Sequence, residues 1–477
     1  MKLSRLGTLA LPVLCLLGGC DESRLSEPEQ GYWVSEPYGS ALYIVADAVM
    51  HYEFTPDYCL LSKIETLSKS EFLSRYQIAD NELFSPTYPG LPMDDNDFGI
   101  EYESSSKLPE ICRHDIFDLT SGIDNNSPEV TLEIFLQTFS QYHYSFESVG
   151  VDWTEVAQQA RWAVSEQTSR AELFEIMSEA IKPLQNGHAF ISDGDKVAVY
   201  RQSEKPILFE RLRNEFLTKN DLTPPLTISQ NSALAEYIKE SENLIQAAIL
   251  SNLSPDTLSL AANNHIIWGT HEKLGYLFID SFNDYTEGNK HPEALALLHS
   301  TMKQVIADFE STDGVIIDLR FNGGGYTYLA KALAEYFIAS PQTGYIKSTR
   351  YGNQFTPEQF VTLAPAAHNY GKPVVVLISN TTASAAELAT VMLSTSEKVT
   401  LIGEATQGML SGSLIKSLPN GFIFGLSNMK QLSNQRVLYE QTGIPPMIQT
   451  SFFNLQDRVS GTDKGFDAAV EWLLSQD

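Results

Sequence analysis

Basic residues are scarce in this chain. Its 477 residues include 32 Lys and Arg against 60 Asp and Glu, which gives a formal net charge of −28. Binding to a phosphate backbone requires a basic face, so we expect no nucleic-acid partner. Hydrophobic residues make up 43% and charged residues 19% of the chain, which is typical of a globular protein. At roughly 100 to 200 residues per domain, this length predicts two to four domains.

Long apolar runs are also missing beyond the first twenty residues. Within those first twenty residues, Lys2 and Arg5 precede an apolar stretch over residues 6–19. That stretch is too short to span a membrane, which takes about 20 residues, and it has the form of an export signal. Leu17-Gly18-Gly19-Cys20 resembles the lipobox of bacterial lipoproteins, which implies that cleavage leaves Cys20 as a lipid-modified N-terminus.

The expected location follows from this anchor. The acidic mature chain would be repelled by anionic headgroups, so the lipid on Cys20 must hold it at the membrane. Asp21 resembles an inner-membrane retention signal of some bacteria. We therefore expect a periplasm-facing protein of the bacterial cell envelope, at the inner rather than the outer membrane.

The chain has only four cysteines, and Cys15 is removed with the signal. If Cys20 carries the lipid, Cys59 and Cys112 remain. Neither belongs to a CxxC motif or to a Cys/His cluster with zinc spacing, and two leftover thiols in an exported protein are expected to pair. We predict a Cys59–Cys112 disulfide, no metal site and no cofactor.

The chain divides into six predicted segments. Apolar residues recur at helical spacing over 130–183, which predicts three helices. From 263 onward, short β-rich runs such as Val315–Leu319 and Val374–Ile378 alternate with helical runs, which predicts βαβ units and a mostly parallel sheet. The segments are a signal at 1–20, a tether at 21–35, a small N-terminal domain of unassigned role at 36–125, a helical segment at 126–194, a helical connector at 195–262 and an α/β core at 263–477. Within the connector, the helical pattern is confined to a stretch around 233–250.

Two motifs follow predicted core strands and could carry chemistry. Gly323, Gly324 and Gly325 would let the backbone approach a ligand closely and offer N–H groups to negative charge. Ser384 opens the helix after the next core strand, where the helix dipole favours a nucleophile. The alternative for Ser384 is a simple capping box with Glu387. Its neighbours are alanines instead of the glycines of GxSxG, which argues against an α/β-hydrolase.

Taken together, six motifs resemble those of the C-terminal processing (tail-specific) and tricorn-core serine peptidases, and they occur in the family order. The resemblance covers about 130–475 and implies a crotonase-like (ClpP-like) α/β fold with a mostly parallel β-core and flanking helices. The motifs are Gly150–Trp153, Leu184–Ala189, Asp318–Gly325, Thr381–Glu387, Ile402–Gly408 and Tyr439–Pro446.

The resemblance also implies site residues. Ser384 matches the nucleophile, and the backbone amides of Ala385 and of Gly324, or its neighbour Gly323, match the oxyanion hole. The lysine base of the processing peptidases is replaced by Met409, whose thioether does not take a proton.

The tricorn-like branch offers another base. It uses a histidine and a glutamate, which here correspond to His188 and Glu440. An imidazole oriented by a carboxylate is an effective base for a serine near neutral pH. Two residues depart from this branch, because Asn186 stands for its usual aspartate and Ala189 for its threonine.

The function implied is a serine endopeptidase that acts on peptide or protein substrates through an acyl-enzyme. The alternative is a catalytically silent module that keeps the fold and binds a peptide or another ligand. Met409 and Asn186 leave that alternative open, whereas Ser384, His188 and Glu440 favour the enzyme. The sequence does not predict an oligomeric state.

The lipobox generates a first prediction. The mature protein should float with membranes in a density gradient, and Cys20→Ala should release it or leave it with an uncleaved signal. Soluble wild-type protein without an acyl group, measured by mass spectrometry, would contradict the lipoprotein interpretation.

Overall fold

The computed structural model describes residues 25, 29–91, 99–114, 116–121, 127–202, 204–288 and 290–476. The export signal, Cys20 and Asp21 lie outside the described residues. Within those ranges, no helix is both long enough and apolar enough to cross a membrane.

The three helices predicted over 130–183 are confirmed as α2, α3 and α4. Asp152 Oδ1 accepts the first free N–H groups of α3, and Ser169 forms a capping box with Glu172 at α4. The α-helices of the described residues are α1 Lys69–Arg75, α2 Pro128–Tyr142, α3 Trp153–Ala163, α4 Arg170–Ile181, α5 Leu208–Lys219, α6 Ile228–Ser251, α7 His291–Asp308, α8 Thr327–Ala334, α9 Ala385–Leu393, α10 Leu455–Ser460 and α11 Lys464–Leu474.

The strands form several sheets. In chain order they are β1 Gly31–Ser35, β2 Ser40–Val45, β3 Ala48–Phe54, β4 Cys59–Thr66, β5 Gln77–Ala79, β6 Glu82–Pro86, β7 Gly99–Ser105, β8 Phe117–Asp118, β9 Phe190–Ser192, β10 Val197–Val199, β11 Ser259–Ala261, β12 Ile266–His271, β13 Leu274–Ile279, β14 Gly314–Asp318, β15 Gln342–Tyr351, β16 Gln354–Phe355, β17 Gln359–Leu363, β18 Val374–Ile378, β19 Val399–Gly403, β20 Ser413–Ser417, β21 Ile423–Ser427, β22 Met429–Ser433 and β23 Ile448–Gln449.

The central sheet has the order β11-β12-β13-β14-β18-β19-β23, and its strands run parallel from β13 to β23. Both faces are covered. Val315 and Ile317 of β14 pack into the cluster formed with α7, α8 and α9, while Ile316 packs with Phe466 of α11 on the other face. The predicted α/β fold with a mostly parallel core is therefore confirmed.

The carboxyl ends of the parallel strands carry the segments with the sequence motifs. The glycine run follows β14, Ser384 follows β18, and Met409 follows β19. The loop after β14 is fixed by Arg320, which is 1% exposed and forms ion pairs of 2.6 Å with Asp318 and with Asp463 at the start of α11.

Residues 195–262 contain more structure than the expected helical connector. The stretch predicted around 233–250 is longer and forms α6, and α5 precedes it. Helix α5 has a weak apolar pattern, because only Leu212 and Phe216 of its residues are buried. Strand β10 joins a second sheet of order β10-β9-β21-β20, which sets the end of the helical segment against the core.

The N-terminal residues form an eight-stranded sheet of order β5-β6-β7-β1-β2-β3-β4-β8. Cys59 at the start of β4 is bonded to Cys112, and both are 1% exposed. The bridge ties residues that are 53 positions apart in the sequence.

The disulfide generates a second prediction. Replacing both Cys59 and Cys112 by serine should lower the free energy of unfolding by roughly 4 kcal/mol, because the unfolded chain regains the entropy of an open loop. Urea unfolding of the mature protein measures this difference. If both thiols of the unreduced, denatured wild type react with an alkylating agent, the bridge does not form.

Candidate active site

Ser384 has an unusual backbone. It lies immediately before α9 with φ 55° and ψ −123°, a conformation that non-glycine residues rarely adopt and that is often found at functional sites. Its side chain makes no capping hydrogen bond to the helix. Of the capping box predicted as the alternative, the bond from the Ser384 N–H to the Glu387 carboxylate is present, whereas the Ser384 hydroxyl accepts no hydrogen bond from the helix.

The amides around Ser384 differ in their availability. Gly324 has φ +110°, and a Cβ there would lie 2.7 Å from Ser384 Cβ and 3.1 Å from Ala385 N. The Gly324 N–H donates to Asn322 Oδ1 at 2.9 Å. Within the described residues, the N–H groups of Ala385 and Gly323 have no acceptor. Ala385, which follows the serine, and Gly323, which precedes Gly324, thus offer free donors, while the donor of Gly324 is engaged.

Glu387 connects the serine to the loop after β19. Its carboxylate is fully buried, and burial raises its pKa. Oε2 accepts the N–H of Ser384 at 3.1 Å, and Oε1 accepts the Thr406 hydroxyl at 2.6 Å. The same carboxylate accepts the N–H groups of Gly408 at 2.7 Å and of Met409 at 2.8 Å.

Glu440 binds the next part of the same loop. Its Oε2 accepts the N–H groups of Leu410 and Ser411, both at 2.9 Å, and its Oε1 accepts Asn186 Nδ2 at 3.0 Å. Four consecutive amides, 408–411, are therefore divided between two buried carboxylates. The pKa of Glu440 is raised to about 7, because burial and the charge of Glu387 raise it by more than the three donors lower it.

His188 lies next to this arrangement through its backbone. Its N–H donates to Asn186 Oδ1 at 2.8 Å, and its carbonyl accepts the Ser413 hydroxyl at 3.0 Å. The ring Nδ1 is buried and has no hydrogen-bond partner among the residues that the structure describes. Burial and the nearby charge of Arg201 lower the pKa of His188 to about 4. The imidazole is therefore neutral near pH 7 and able to accept a proton.

Met409 fills space beside the histidine segment. A Cβ at Gly187 would lie 2.5 Å from Met409 Cε, so the thioether packs directly against the residue before His188. Two lysines that could replace the missing base are engaged elsewhere. Lys416 donates to the Gly39 carbonyl at 3.1 Å, and Lys372 donates to the Glu310 carbonyl at 2.8 Å.

The segment around Lys205 and Pro206 also contributes to this site, and it was not predicted from the sequence. Lys205 donates to the carbonyl of Gln441, beside Glu440, at 3.0 Å, and Asn380 Nδ2 donates to the Pro206 carbonyl at 2.9 Å. This segment of the connector therefore contacts two loops of the site, and its sequence carries no motif that would show it. In the ranges described above, no group of His, Cys, Asp and Glu residues is arranged to hold a metal ion.

One known protein family matches part of this chain. Residues 273–450 match the model of peptidase family S41. The chain contains a peptidase family S41 domain. The match includes Ser384, Glu387 and Glu440, whereas His188 lies upstream of it.

Two curated relatives support this assignment. The carboxyl-terminal-processing protease of Synechocystis sp. is 26% identical over 204 residues, which cover 42% of this chain and 44% of the relative. The carboxy-terminal processing protease CtpA of Bacillus subtilis is 32% identical over 136 residues, or 28% of each chain. This chain thus spans less than half the length of either relative.

The fold has a solved counterpart. A crystal structure of a protein from Parabacteroides merdae superposes with a TM-score of 0.58 and 20% identity, covering 74% of this chain and 98% of that chain. At this identity, the likeness shows the fold alone.

The burial of Glu440 generates a third prediction. Its pKa is about 7 in the folded protein against an ordinary value of 4.5. Between these values the folded state holds a proton that the unfolded state loses, so raising the pH destabilises the wild type. In the variant Glu440→Gln, the side chain at position 440 does not titrate. Its stability relative to wild type should therefore rise from pH 4.5 to pH 7, by up to roughly 3 kcal/mol. Urea unfolding at several pH values measures this, and a pH-independent difference would contradict it.

Proposed function

We propose that this protein is a serine endopeptidase that hydrolyses peptide bonds through an acyl-enzyme. Ser384 is the nucleophile, His188 the base and Glu440 the carboxylate that stabilises the charged imidazole. The observation that carries the proposal is the position of Ser384, with a positive φ, an uncommitted hydroxyl, the free amide of Ala385 next to it and the backbone of Gly324 packed against it.

The mechanism assigns one role to each group. The imidazole of His188 takes the hydroxyl proton while Ser384 Oγ attacks the carbonyl carbon of the substrate. The amides of Ala385 and Gly323 bind the oxyanion that forms, and the positive end of the α9 dipole adds to this stabilisation. The imidazolium then gives its proton to the leaving amine. Water attacks the acyl-enzyme by the same route and releases the acid product.

Gly324 has a different role in this proposal. Its own N–H is directed to Asn322, and its missing side chain leaves room for Ser384. Gly324 would join the oxyanion hole only if Asn322 released its amide. We therefore assign the first two donors to Ala385 and Gly323.

The proposed location is the bacterial cell envelope. The lipobox at Cys20 supports a lipid-anchored, periplasm-facing protein, and Asp21 favours the inner membrane. The tether predicted at 21–35 is wrong in its last part, because Gly31–Ser35 form β1 inside the eight-stranded sheet. Peptide or protein substrates would then be exported or membrane-associated chains.

A second candidate is a silent ligand-binding module. One observation favours it, because in the described part of the chain no hydrogen bond joins the His188 ring to Ser384 or Glu440. Catalytic hydrogen bonds are often long before substrate binds, so this geometry does not exclude the enzyme. A serine-reactive fluorophosphonate should label the enzyme and leave a silent module unlabelled.

The triad generates a fourth prediction. Ser384→Ala and His188→Ala should each lower peptidase activity by about 10³-fold or more, because nucleophile and base act as a unit. Glu440→Gln should cost less, because the imidazole remains but its charged form loses stabilisation. Hydrolysis of a quenched-fluorescent casein measures these changes.

Met409→Ala is the matched control, since it removes a side chain beside His188 that takes no proton, and it should keep most of the activity. An active His188→Ala enzyme together with an inactive Lys416 or Lys372 variant would show that a Ser-Lys dyad operates instead.

A further inference from the structure

Asn186 is buried, with 1% of its surface exposed, and both ends of its side-chain amide form hydrogen bonds. Oδ1 accepts the His188 N–H at 2.8 Å and the Ser427 hydroxyl at 3.2 Å, and Nδ2 donates to Glu440 Oε1 at 3.0 Å. The backbone N–H of His188 requires an acceptor, so the oxygen of the amide must face it. The nitrogen consequently faces Glu440.

This arrangement makes Asn186 the connection between the base and its carboxylate. Among the side chains in the described part of the chain, Asn186 alone forms hydrogen bonds to both His188 and Glu440. The two residues it joins are 252 positions apart, and Asn186 and Glu440 are separated by 254.

We propose that Asn186 is a positioning residue that keeps Glu440 ionised and holds the backbone of His188 beside that carboxylate. The inference rests on the proposed function, because it concerns how the same triad is assembled.

The charge of Glu440 is set by opposing effects of its surroundings. Its surroundings are the amides of Leu410 and Ser411, the Asn186 amide, the charge of Glu387 and the hydroxyl of Tyr144. Burial and, to a smaller extent, the charge of Glu440 raise the pKa of that hydroxyl. Burial and Glu387 favour the neutral acid, whereas the hydrogen-bond donors favour the carboxylate. With these effects nearly balanced around pH 7, the loss of one donor would leave Glu440 mostly neutral. A neutral acid would not stabilise an imidazolium.

An asparagine suits this place better than an aspartate would. An aspartate could still accept the His188 N–H, but its second oxygen would lie against Glu440 Oε1. Two carboxyl groups at hydrogen-bond distance do not both ionise readily and share one proton instead. The asparagine avoids this competition, because its Nδ2 donates without carrying charge.

The test measures the rate at which a fluorophosphonate labels Ser384 as a function of pH, which requires no known substrate. In the wild type, labelling should fall as Glu440 is protonated below about pH 7. Asn186→Ala should move this fall in labelling to higher pH. If the pKa of Glu440 rises by about one unit, about one tenth of it is ionised at pH 7 instead of about one half, so the rate at pH 7 should be roughly fivefold lower and should recover as the pH rises. Asn186→Asp should also move the fall in labelling to higher pH, because Glu440 becomes fully ionised only when the shared proton leaves the pair.

Ser427→Ala is the matched control, because it removes the other contact of Asn186 Oδ1 without touching Glu440. It should leave unchanged the pH below which the labelling rate falls. Thermal unfolding monitors the folding of each variant, and the nearly isosteric Asn186→Asp carries the test if Asn186→Ala does not fold. Asn186 variants that are slowed equally at every pH would overturn the inference and show a structural contact only. A wild type that is never labelled at Ser384 would instead contradict the proposed function.

Discussion

The site depends on one constraint, the sharing of four consecutive backbone amides by two buried carboxylates. Glu387 takes the amides of 408 and 409, and Glu440 takes those of 410 and 411. A buried carboxylate without donors is costly, and so is a buried amide without an acceptor. Neither carboxylate can move alone, because the backbone segment 408–411 holds both of them in place. Ser384 is attached to one carboxylate through its N–H, and His188 to the other through Asn186.

This constraint explains why Met409 is compatible with an active site. The backbone of Met409 contributes to the turn through its bond to Glu387, whereas its side chain packs against Gly187. Any residue with a free backbone N–H could make this hydrogen bond to Glu387. The side chain then needs only to fill the space beside the histidine segment, and a proton acceptor is required there only if no other base is present.

The sequence predicted the core sheet, the helices α2 to α4 and the place of Ser384 after β18, because these rest on local patterns of apolar residues and on motifs. Helix α5 escaped prediction because few of its residues are buried. The engagement of the Gly324 amide by Asn322 and the bridging role of Asn186 were also not predictable. Both depend on which atoms meet in three dimensions, and the Asn186–Glu440 contact spans 254 residues that no local pattern connects.

The proposed mechanism requires that Ser384 is a nucleophile whose proton is taken by His188. Peptide mapping by mass spectrometry after fluorophosphonate treatment of the mature protein, in wild type and in His188→Ala, tests this requirement. We expect one adduct, on Ser384, in the wild type and almost none in the variant under the same conditions. An adduct on another serine, or equal labelling of Ser384 without His188, would contradict it.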